Sequence, residues 1–196
     1  MVSAGTTPLG LRPITAQGVP FEAMSDDYED LTDCWLDPDD VEALLEHQTE
    51  CIFMWTTKAG EPFGVVMSYL WSDGRFWLTC ARRRKRVPAV TRDPRVAIAV
   101  NSTGSSLGGG KTVTWKGTCV VRDDQETKDW FYPALAQRVR PDDPEGSAGF
   151  ERFLDSPDRV ILEVEPTSSL SFDSAKMMAR SPEAARKDAR EKMGFS

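Results

Sequence analysis

The 196-residue sequence predicts a mainly β protein with flanking helices, an α+β chain of antiparallel strands, and three observations carry that expectation. Over Thr112 to Val121, Val113, Trp115, Gly117 and Cys119 fall on one face and Thr114, Lys116, Thr118 and Val120 on the other, the period of two that a strand imposes. Asp73-Gly74 stands between two runs rich in aromatic and β-branched residues, which is the composition of a tight hairpin. Helical signals are short and come with their own start and stop residues.

In chain order, residues 1–36 are rich in Gly, Pro, Thr and acidic groups, and read as an extended arm whose Leu31, Trp35 and Leu36 suit packing on a partner subunit. Residues 37–178 form the folded domain. Its first helix is expected over Pro38 to Gln48, with Asp37 at the N-cap, proline at the first helical position, acids in the first turn, and Val41, Leu44 and Leu45 on one face. Strands follow at Cys51 to Thr57, Pro62 to Trp71 and Arg75 to Thr79, separated by turns at Lys58-Ala59-Gly60 and Ser72-Asp73-Gly74. A short helix over Val87 to Pro94, a strand over Arg95 to Val100 and a glycine-rich loop from Asn101 to Gly110 lead into the Thr112 strand.

A helix from Asp123 or Asp124 is expected to turn Trp130, Phe131, Ala134 and Leu135 inward, with Pro133 kinking it or marking a new start. A second helix covers about Pro144 to Leu154. Arg159 to Glu165 is a strand in which Val160, Leu162 and Val164 alternate with Ile161 and Glu163, and Ser169 to Phe172 forms another. Residues 179–196 are a charged C-terminal helix or tail with little to bury.

The chemistry concentrates at one corner. Arg82-Arg83-Arg84-Lys85-Arg86 places five consecutive cations in a chain of formal net charge -7. Such a run is either a solvated basic face or an anion site. Its position between a strand and a helix favours the latter, because the corner also turns backbone N–H groups outward. The stretch from Phe76-Trp77-Leu78-Thr79-Cys80-Ala81 through Arg84-Lys85 to Arg92-Asp93-Pro94-Arg95 resembles the core motif of the pyridoxamine 5'-phosphate oxidase-like flavin and deazaflavin oxidoreductases. Glu46-His47-Gln48-Thr49-Glu50-Cys51 and Ser171-Phe172-Asp173-Ser174-Ala175-Lys176-Met177 resemble its opening and closing segments, so the likeness spans roughly residues 38 to 178. Phe172-Asp173 stands where Trp-Asp is frequent, and the loop Asn101 to Gly110 is long and glycine-rich for the family.

The resemblance implies an antiparallel split β-barrel of the FMN-binding type, a homodimer with the cofactor at the interface, and FMN or the deazaflavin coenzyme F-420 as cofactor. Arg84 and Lys85 fall on the family's phosphate-holding pair, with Arg82 assisting and Thr79 and Cys80 presenting donors. Val66, Met67 and Ser68 would face the flat ring. Trp115 either lines the pocket or belongs to the core, and Met67 shares that ambiguity. The expected function is oxidation or reduction of a small organic substrate, with a non-catalytic carrier of a cofactor, haem or another conjugated ligand as the alternative.

Other chemistries find less support. Gly104 to Thr112 nearly spells a nucleotide-binding P-loop, but the following residues are β-patterned where a helix must begin. His47, the lone histidine, ends a helix and reads as a cap for its carbonyls, which leaves no histidine for Ser-His or Cys-His catalysis. Cys34, Cys51, Cys80 and Cys119 are too widely spaced for a metal knuckle. Those spacings, together with an N-terminus lacking a basic start and apolar stretch, point to reduced thiols in a cytoplasm. No run reaches transmembrane length. Net acidity argues against nucleic acid as a partner, since one local patch is no substitute for a broad positive surface.

Overall fold

Seven antiparallel strands form one sheet in which two consecutive strands occupy opposite edges, and that single fact dictates its shape. The computed structural model describes residues 31–180. Its strands are β1 (Glu50–Thr56), β2 (Pro62–Ser68), β3 (Leu70–Ser72), β4 (Arg75–Ala81), β5 (Arg95–Asn101), β6 (Lys111–Arg122) and β7 (Arg159–Asp173), in the spatial order β2-β1-β5-β6-β7-β4-β3. Only Tyr69 separates β2 from β3, so the sheet must curl until its two edges lie one residue apart. The expected continuous strand from Pro62 to Trp71 is therefore corrected to two. The break has a visible cause. The Tyr69 ring is fully buried, its hydroxyl donates to the Leu45 carbonyl at 3.1 Å, and its N–H donates to the Thr49 carbonyl at 3.1 Å.

The β3–β4 hairpin turns at Asp73 and Gly74 with φ of 52° and 71°, the left-handed pair that the Asp-Gly dipeptide supplies. β6 pairs along its whole length with Ile161 to Asp173 of β7, with one register shift at Lys116/Gly117. The two strands expected at Arg159 to Glu165 and Ser169 to Phe172 are thus one, and Pro166, which has no N–H to donate, is absorbed at the irregularity opposite Gly117. A Cβ on Gly117 would sit 2.7 Å from the Glu165 carbonyl oxygen, so the close approach needs glycine.

The helices are α1 (Pro38–His47), α2 (Arg86–Arg92), α3 (Gln125–Val139), α4 (Pro144–Leu154) and α5 (Ser174–Arg180). In α1 the His47 ring nitrogen Nδ1 donates to the Ala43 carbonyl at 2.8 Å, as a terminal cap. α3 is capped by Asp124, which accepts from the Thr127 N–H at 2.8 Å. α3 runs unbroken through Pro133, which faces solvent. Trp130 is 38% exposed and Ala134 half-buried, while Tyr132 and Ala136 join Phe131 and Leu135 inside, so the inward face is rotated from the expected one.

Two apolar clusters result. Phe53, Phe76, Leu78, Ile98, Val113, Val160 and Leu162 fill the curl of the sheet. Trp77 and Ile161, on the opposite face of β4 and β7, pack against Phe131, Tyr132, Leu135 and Leu154 of α3 and α4. Burial on both faces is why Phe76 to Leu78 of β4 and Val160 to Leu162 of β7 read as continuous apolar runs. Of the arm residues, Leu36 is buried in this chain's own core, its N–H donating to Ser171 Oγ at 3.0 Å, and the Cys34 carbonyl accepts from Asp173 N–H, whereas Leu31 is exposed and Trp35 half-buried. The rest of the expected arm, and the tail beyond Arg180, lie outside the described residues.

Candidate functional site

The five cations do not act as a block. Ala81 leaves β4, Arg82 through Lys85 make the turn, and α2 begins at Arg86. Arg82 forms a close ion pair with Asp123, whose other oxygen is held by Lys128 at 2.9 Å. Arg83 reaches Asp158 at 3.1 Å. Arg86 folds inward, its Nη1 2.8 Å from the Met67 sulfur and its guanidinium 5.9 Å from the Trp55 ring centroid. Arg84 and Lys85 are exposed, and among the described residues their side chains take no partner. Ion pairing of Arg82 and Arg83 and the inward packing of Arg86 therefore leave two of the five as exposed, unpartnered charges.

Two clefts meet at this corner. The first, of about 450 Å³, is floored by the ends of β2 and β4 through Met67, Ser68, Thr79 and Cys80, rimmed by Arg83, Arg84 and Arg86, and walled on the far side by Phe150, Phe153 and Leu154 of α4 and by Arg159 at the start of β7. The second, of about 740 Å³, lies on the other side of the turn, where Lys85 joins Arg84, Arg92 and Lys58 over the rings of Trp55 and Phe63. Arg84 borders both.

Five of the nine residues expected at the site, Met67, Ser68, Thr79, Cys80 and Arg84, thus line the first cleft. Lys85 lines only the second. Val66 points away from the Met67 side and is 63% exposed beside Ile52 and Phe63. Arg82 lines neither cleft and is engaged with Asp123. Trp115 is buried in the core with its ring 5.0 Å from Phe76 and lines neither cleft. The loop from Asn101 to Gly110 also lines neither cleft; the Gln48 side chain donates to the Thr103 carbonyl and Gly110 abuts Ser174, placing the loop against α1 and α5.

The floor of the first cleft offers little acid–base chemistry. Thr79 Oγ1 donates to the Val160 carbonyl at 2.9 Å. Burial pushes the Cys80 thiol up, against the opposing pull of Arg86, Arg159 and Arg84. Cys51 and Cys119, deeper in the core, are pushed up to about 12, chiefly by burial. No histidine is near, since His47 is occupied by its own helix. What the cleft does offer is a cationic rim, a narrow floor and an aromatic wall, which is an arrangement for binding a flat anion. The α4 wall escaped the sequence reading. Phe150 and Phe153, three residues apart on one helix face and stacked at 6.1 Å, were its visible signal.

The family model described as pyridoxamine 5'-phosphate oxidase matches residues 38–171. No curated protein matches the chain. Among solved structures, a conserved hypothetical protein from Mycobacterium tuberculosis superposes with a TM-score of 0.63 at 17% identity, covering 75% of this chain and 91% of that one. An F420 reductase matches with a TM-score of 0.51 at 21% identity, covering 66% and 94%. An FAD-binding protein from Mesorhizobium loti matches with a TM-score of 0.52 at 18% identity, covering 69% and 93%. At these identities the likeness is one of fold, a split barrel made from the curled seven-strand sheet. Among the described residues no helix is long and apolar enough to cross a membrane.

Proposed function

This chain belongs to the pyridoxamine 5'-phosphate oxidase family, and on that footing we propose that it is an oxidoreductase that uses FMN or the deazaflavin coenzyme F-420 to oxidise or reduce a small organic substrate. The observation that carries this reading is the placement of an exposed, unpartnered Arg84 at the rim of a cleft floored by Met67, Ser68, Thr79 and Cys80. An uncompensated guanidinium beside a slot of about 450 Å³ fits a ligand that joins an anionic group to a flat ring. In this reading Arg84 and Lys85 hold the cofactor phosphate, and the β2 and β4 ends hold the ring edge through backbone groups.

The chemistry such a ring supplies is hydride transfer, and the protein's own part is binding, orientation and exclusion of water. That division matches a cleft with a raised thiol and no imidazole. Val66, Ile52 and Phe63, exposed together beside the second cleft, are the surface on which a second copy of the chain would close. The deciding experiment is an absorbance and fluorescence titration of the purified full-length chain with FMN and with F-420, followed by turnover assays on whichever binds. Binding of neither cofactor would remove this reading.

A further inference from the structure

Arg159 is a further guanidinium of the first cleft without a carboxylate partner, and it stands on the wall opposite the turn. It opens β7, lies half-buried, and packs its guanidinium 5.0 Å from the centroid of Phe153. Its Nε is buried with no hydrogen-bond partner, and among the described residues its side chain meets no carboxylate, since the neighbouring Asp158 is taken by Arg83. Burial pulls the guanidinium below its usual range, against the opposing effect of Tyr132 and Cys80, and Arg84 adds to the pull. A half-buried cation near another cation, with a buried N–H short of an acceptor, is costly. An anion between the walls removes the cost.

We propose that Arg159 is a substrate-binding residue that receives the carboxylate of a flat organic acid, with the acid's ring against Phe153 and Phe150. The proposal rests on the reading of this cleft as the redox site, and it names the substrate class that the site takes. A carboxylate suits the position because a planar guanidinium fork can offer its terminal N–H groups in two parallel bonds. Arg84 anchors one end of the cleft and Arg159 the other. The exposed aromatic surface, with Phe153 at 63%, supplies the apolar contact that a ring needs.

The test uses the full chain and two probes of the same shape, benzoate and neutral benzamide, measured by calorimetry with and without saturating FMN. Benzoate is expected to bind at least tenfold more tightly than benzamide. Arg159→Gln should abolish that preference, and Arg159→Lys should restore part of it. Circular dichroism confirms that each variant is folded. Equal binding of the two probes to the wild type, or a preference that survives Arg159→Gln, overturns the assignment. A benzoate preference that depends on Arg159 in a chain that binds neither FMN nor F-420 would sustain the acid site and overturn the cofactor reading instead.

Discussion

Removing Arg84 is expected to weaken cofactor binding far more than removing Arg82, although the two cations lie two residues apart in the same run. Arg84 has no acidic partner to leave behind, so Arg84→Ala forfeits a whole charge-assisted contact with the ligand, about 1.5–3 kcal/mol. At about 1.4 kcal/mol per decade, the dissociation constant should rise roughly ten- to a hundredfold. Arg82 is already engaged with Asp123, and its loss releases a carboxylate that Lys128 still holds, so Arg82→Ala should change affinity by less than about threefold. The double variant Arg84→Ala/Lys85→Ala should lose at least about a hundredfold. Flavin fluorescence titrations at two salt concentrations separate a specific contact from diffuse attraction, because only the latter is lost to screening. Urea unfolding should be unchanged by Arg84→Ala. Equal losses for Arg82→Ala and Arg84→Ala would show that the run acts through total charge, and the geometric argument would be wrong.

Three other outcomes follow from the same coordinates. Gly117→Ala should destabilise the fold by about 1–3 kcal/mol in urea titrations, because its Cβ meets backbone at Glu165 that cannot move aside; wild-type stability in this variant would contradict that. Asp93 is held down to about 2 by its bonds from Arg95, and Asp123 and Asp124 are lowered by bonds from Lys128 and Thr127, so their stabilising contribution is present above the unfolded carboxylate value near pH 4 and is lost as pH falls through the folded values. The melting temperature should therefore fall from about pH 4 towards pH 2, less steeply in Asp124→Asn, where an amide caps α3 without titrating; identical slopes would refute the assignment of Asp124. Finally, sedimentation at micromolar concentration should show a dimer that Val66→Asp converts to monomer, and a wild-type monomer would remove the second copy from the site.

The sequence made most of this architecture legible because its strands announce themselves locally. Asp73-Gly74 set one hairpin, and the alternation along Val113 to Cys119 set the buried face of β6. The N-cap residues Asp37 and Asp124 and the first-turn proline Pro144 marked helix starts within a residue or so. The failures have a common physical origin in contacts remote along the chain. Nothing near Tyr69 shows that it must end one strand and begin another, because the partners that pull it inward, Leu45 and Thr49, lie about twenty residues away. Trp115 looks the same in sequence whether it meets a ligand or Phe76. The site divides along the same line. The run Arg82 to Arg86 was visible, but which charges remain free depends on Asp123, Asp158 and Met67. Arg159 and Phe153 reach the cleft only through the packing of α4 on β7.

The one-residue crossing at Tyr69 gives the barrel a seam, and the seam runs along the floor of the ligand cleft. Met67 and Ser68 end one sheet edge just before it, while Thr79 and Cys80 belong to the strand that pairs with the other edge. Pulling the cleft open would therefore start to part the barrel at its joint, and whatever bridges β2 and β4 acts as a clasp on the whole sheet. A ligand bound across β2 and β4 should therefore slow amide exchange along the seam, at the Tyr69 N–H that donates to Thr49, beyond the atoms that such a ligand touches.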